Sequence, residues 1–114
     1  MTPQEQRIAI AFHFGWKLIE GGSLDFEDCL FAKPGQTEGP WCKSFQVPDY
    51  LNDLNAMHEA EKVLSKNQQG LYMENLYTPI TLEDRNKDTL FDYAHANASQ
   101  RAEAFLRTIG KWKD

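Results

Sequence analysis

This chain has few cysteines, no excess of positive charge, no long apolar run and no glycine-rich phosphate loop, and each shortage closes off a class of protein. Its two cysteines, Cys29 and Cys42, match no zinc spacing and follow no signal-peptide core, which predicts free thiols in a reducing cytoplasm. No apolar stretch approaches the ~18 residues that a membrane span requires. The stretch "IAIAFHFGW" is short and patterned as an amphipathic helix. A formal charge of −5 over 114 residues argues against a bulk nucleic-acid binder, which normally shows a basic face. Arg101, Arg107, Lys111 and Lys113 do gather near the C-terminus, but Glu103 and Asp114 dilute them. They read as a solvated face with last-turn cations, a phosphate site being the alternative. Nucleophile elbows, metalloprotease helices, internal repeats and low-complexity segments are also missing.

What is present suffices for a core. Apolar residues make up 41% of the chain and aromatics 12%, too much for disorder and enough for one domain spanning 1–114. "TPQE" is a compact helix start, with Thr2 as N-cap, Pro3 at the first helical position and Glu5 completing a capping box. The spacing predicts a helix from there to about Glu20, ended by Gly21-Gly22. On that helix Ile8, Phe12, Gly15, Trp16 and Ile19 form one stripe, while Ile10 and Phe14 fall opposite. A helix apolar on two faces is either covered on both or carries an interface, so Ile10 and Phe14 are candidates for self-association, with cover by a loop as the plainer reading.

Further along, "CLFA" fits a short strand and "KPGQTEGP" a loop. "WCKSFQV" alternates, which suits either a strand or an irregular segment pinned by Trp41 and Phe45. Pro48 then opens a second helix over about 49–66, with Asp49 near its first turn. "LYMENLYT" (71–78) and "TLFDYAH" (89–95) are rich in aromatic and aliphatic residues and predict an antiparallel pair. "NASQRAEAFLRTIG" is the clearest helix, with Asn97 and Gln100 as a capping box, a stripe of Ala98, Ala102, Phe105, Leu106 and Ile109, and Gly110 as the stop. The resulting expectation is an α+β chain, layered α/β/α, with three helices on a small, mainly antiparallel sheet.

The segments "PDYLNDLNAMHEAEKVL" (48–64) and "ASQRAEAFLRTIGKW" (98–112), with the Tyr-rich stretch between them, resemble the phage ABA sandwich domain. "FGWK" and the lone Trp41 ahead of the Pro-Asp-Tyr helix add to the likeness, which covers roughly residues 8–112. The resemblance implies a layered α/β/α domain of phage or prophage origin. It implies no activity.

The second helix raises a question of its own. With Leu54 at zero on a wheel of ~100° per residue, His58 falls near +40°, Glu61 near −20° and Tyr50 near −40°, inside an apolar stripe. An ionised Glu there needs a partner, because unpaired burial costs several kcal/mol. Either His58 and Glu61 satisfy each other at the core's edge, or this end of the helix lines a pocket in which Trp41, Tyr50, His58 and Glu61 hold a small, nucleotide-like ligand. Trp41 serves as a plug in the first case and a stacking platform in the second. A metal would need His13 or His95 to converge on the pair, and none is expected. "DFED" (25–28) reads as a solvated turn, with cation binding as the alternative. A Cys29–His58 or Cys42–His58 dyad would need the loop to fold back over the second helix. The sequence therefore predicts a cytoplasmic protein that acts by binding, with protein contact or self-association first, small-molecule capture second and an enzyme third; the phage resemblance implies that the cytoplasm is that of a bacterial host cell. No cofactor or membrane is implied.

Overall fold

The computed structural model of this protein describes residues 1–21, 29–83 and 96–113. Among these, four helices and three strands follow in the order α1 (Pro3–His13), β1 (Lys17–Glu20), β2 (Leu30–Ala32), β3 (Cys42–Lys43), a 3-10 turn (Ser44–Gln46), α2 (Leu54–Glu61), α3 (Lys66–Glu83) and α4 (Ala98–Thr108). The class is α+β with a small antiparallel sheet, as the sequence predicts, ordered β1-β2-β3. The described strands lie within 17–43, where "CLFA" supplies β2 as expected, whereas 71–78 is not a strand. No described helix is long and apolar enough to cross a membrane.

The first helix has the expected N-cap, the Glu5 amide donating to the Thr2 hydroxyl at 3.1 Å with Pro3 at the first helical position, but of the expected capping box only this Thr2 half is formed. It stops seven residues early. Gly15 sits at φ +99°, the Trp16 amide donates back to Ala11 and the Gly15 amide to Phe12, a left-handed closure that a glycine at this position permits. A Cβ at Gly15 would also meet the Pro34 ring at 3.4 Å. The four residues Lys17–Glu20 are thereby released into a strand. This corrects the expected face assignment as well. Ile10 is fully buried and Phe12 and Ile19 are exposed, so Ile10 offers no interface. Phe14, half-buried, stacks on Tyr50 and Phe105 at ring-centre distances of 6.2 and 5.9 Å. The second apolar face of α1 is covered by the chain at 44–50: Arg7 donates to the Ser44 and Val47 carbonyls at 2.8 and 3.0 Å and to the Ser44 hydroxyl at 2.8 Å.

The expected strand at 71–78 is helical. Ser65 and Gln68 form a reciprocal cap, the Gln68 amide donating to the Ser65 hydroxyl and the Ser65 amide to the Gln68 side-chain oxygen. From that start Tyr72 and Leu76, four apart, point into the core while Leu71 and Met73 face outward. The proposed partner strand at 89–95 lies outside the described residues. The fourth helix matches its sequence: Asn97 and Gln100 cap each other, and Gly110 closes it at φ +77°. The other three helices all pack on α4. One buried cluster joins Ile8 and Ile10 of α1, Phe31 of β2, Met57 of α2, Leu76 of α3 and Phe105 of α4.

Candidate functional site

The second helix begins later than its sequence suggests. Asp49 accepts the Asn52 and Asp53 amides at its carbonyl, making a turn, and the Asp53 carboxylate then caps Asn55 and Ala56. Met57, Ala60 and Leu64 are the buried members of this segment, and Leu54 is exposed. The buried face is therefore centred near Met57. About that centre Glu61 lies roughly 40° away and His58 roughly 100°. His58 is accordingly exposed, and the inward-facing imidazole expected from the Leu54-centred wheel is corrected.

Glu61 faces inward, but its partner is Arg101 of α4. Arg101 Nη1 donates to both carboxylate oxygens, at 3.1 and 3.2 Å, and its Nε donates to the Ala96 carbonyl at 3.0 Å. Both side chains are largely buried. Arg101 thus leaves the group of C-terminal cations read as a solvated face. Tyr72 of α3 lies beside this pair, and burial, followed by the Glu61 charge, pushes its hydroxyl well above the usual tyrosine range. Three helices meet at one charged knot, and its geometry is that of a structural tie: Arg101 joins the Glu61 carboxylate to the Ala96 carbonyl, and no ligand is needed to neutralise Glu61.

The remaining members of the expected pocket are scattered in character. Tyr50 is buried, and burial raises its hydroxyl pKa. With Phe14, Pro48, Ala56, Glu59 and Ala60 it lines a cavity of about 250 Å³. Trp41 is half-buried at the end of a loop stapled by Gln36, whose amide donates to the Glu38 and Pro40 carbonyls at 2.9 and 2.7 Å. Neither Trp41, His58 nor Glu61 lines that cavity. A larger cleft of about 570 Å³ runs between α1 and the C-terminal segment, floored by Ile8, Ala9 and Phe12 and bordered by Glu5, His13, Lys111 and Lys113. Cys29 and Cys42 are buried free thiols. Among the described residues no three His, Cys, Asp or Glu side chains gather to hold a metal, and "DFED" and His95 lie outside them.

The feature that sequence reasoning missed is β1. It is an edge of the sheet, its outer side has no strand beside it among the described residues, and Lys17, Leu18, Ile19 and Glu20 are all exposed. Leu18 and Ile19, at 40% and 42%, are apolar side chains left on an open edge. Reading Gly15 as a helix stop would have found it. Compared with family models, with curated proteins and with solved structures, the chain matches none.

Proposed function

We infer that this chain is a phage or prophage accessory protein in the cytoplasm of its bacterial host, and that it acts by protein contact through the edge of its sheet. The observation that carries this reading is β1, an edge strand with no strand on its outer side among the described residues and with Leu18 and Ile19 exposed. An edge strand presents backbone donors and acceptors that another strand can take up, and alternate side chains then supply specificity. Globular domains commonly blunt such edges, so an apolar one is a contact surface in waiting. The likeness of segments 48–64 and 98–112 to the phage ABA sandwich domain supports the biological setting. The closed Glu61–Arg101 knot supports binding at the edge over capture of a small molecule beside α2.

A photo-crosslinking amino acid at position 18 tests the reading in the host cell, with position 67 on the exposed side of α3 as the control. Adducts to polypeptide at position 18 and none at position 67 are expected. Absence of any polypeptide adduct at position 18 contradicts it.

A further inference from the structure

The register of β1 on β2 contains a bulge. Lys17 opposes Ala32, Leu18 opposes Phe31, and Glu20 opposes Leu30, leaving Ile19 without a partner. Residues three apart on an unbroken strand point to opposite faces of a sheet. Here the extra residue changes the parity: Lys17 and Glu20 sit opposite Ala32 and Leu30, two apart on β2, and so project from the same face. Leu18, opposite Phe31, projects from the other face, the one on which Phe31 is buried in the core.

We propose that β1 pairs antiparallel with β1 of a second copy of this chain, making a two-fold dimer with a continuous six-stranded sheet. This rests on the edge-contact reading above and names its partner. An antiparallel edge pair has its two-fold axis perpendicular to the sheet, so each face of one copy continues into the same face of the other. Centred between Leu18 and Ile19, the pairing sets Lys17 opposite Glu20 of the second copy, and Glu20 opposite its Lys17. Both ion pairs lie on one face because of the bulge. Leu18 meets Ile19 of the second copy, twice, at the centre. The sequence "KLIE" is therefore complementary to itself in charge and in apolar character when reversed.

A lysine on an edge strand ordinarily serves to repel a second strand. In this strand Glu20 stands where it neutralises that lysine across the pair, which distinguishes a docking edge from a protected one. The opposite edge of the sheet offers no comparable surface: β3 is two residues long and runs directly into the 3-10 turn. A four-residue pair is a small contact, below the ~1,000 Å² of stable complexes unless neighbouring residues join it, so the dimer is weak and concentration-dependent.

Solution mass across a wide dilution series tests this on the full chain. The original protein should pass from monomer to dimer as concentration rises. Lys17→Glu or Glu20→Lys alone sets two like-charge pairs across the strand and should weaken the dimer by about tenfold. The double exchange Lys17→Glu with Glu20→Lys restores both pairs and should return the dissociation constant to near its original value. These side chains are exposed, so folding, followed by circular dichroism, should be unchanged in all three. A monomer at every concentration, or a dimer that the single reversals leave intact, overturns the proposal. If the chain is monomeric while position 18 still crosslinks to another polypeptide in cells, the second copy is the wrong partner and the edge reading stands. If position 18 captures nothing, both fall.

Discussion

The two ends of this molecule differ in how they use their polar groups. In the helical part, α2, α3 and α4 meet around Glu61, Arg101 and Tyr72, and Arg101 engages both the carboxylate and the Ala96 carbonyl. Caps at Asn97, Asp53 and Ser65 account for orphan amides at the helix starts. In the sheet, by contrast, β1 exposes all four of its residues, two of them apolar, along an outer edge with no paired strand among the described residues. One region is closed and holds the fold. The other is open and has interactions left to make. A substitution in the first should cost stability with no effect on association beyond unfolding, and one in the second should do the reverse.

The largest expected effect is at the knot. Arg101→Met strips Glu61 of its partner and leaves a largely buried carboxylate, at a cost of roughly 2–4 kcal/mol, since removing one member of a buried pair leaves the other unpaired. Chemical denaturation measures it. Arg101→Lys should recover only part of the loss, because an ammonium cannot hold both the carboxylate and the Ala96 carbonyl in the same fork.

A second effect concerns alkali. Burial raises the Tyr72 and Tyr50 hydroxyls above their unfolded value of 10.0, so the folded chain keeps protons that the unfolded chain gives up. Their contribution is fully present below pH 10 and is lost as pH rises through the folded values, at about 1.4 kcal/mol per pH unit for each group once the unfolded form is ionised. Tyr72→Phe should flatten that slope in a pH series of melts. Gly15→Ala comes next, at about 1 kcal/mol, because φ +99° is strained for a side chain and the Pro34 ring stands close. The smallest change in stability belongs to the open edge. Ile19→Lys should move the fold by less than about 0.5 kcal/mol, yet it should abolish the concentration-dependent mass.

Much of the fold was legible in the sequence where the local signal was reinforced at both ends. The Asn97–Gln100 box and Gly110 bracket α4, and Thr2-Pro3 opens α1, because capping chemistry acts over three or four residues and needs no tertiary partner. The misreadings share a cause. Gly15 fits the apolar stripe by spacing although its role is a left-handed stop, and this hides β1 inside an overlong helix. "LYMENLYT" looked like a strand by composition, yet Ser65 and Gln68 had already set a helix going ahead of it. At the candidate site, the helical wheel shows that Glu61 is a carboxylate in need of a partner. Its partner lies forty residues away on α4, a pairing fixed by packing that no helical wheel reveals.

Hydrogen exchange measured at low and high protein concentration tests the contrast between the closed and open regions most directly. Amides of α4 should exchange slowly at both concentrations, whereas those of Lys17–Glu20 should be fast when dilute and slow when concentrated. Exchange at Lys17–Glu20 that does not depend on concentration, or protection that appears elsewhere instead, would contradict the assignment of β1 as the surface through which this protein makes contact.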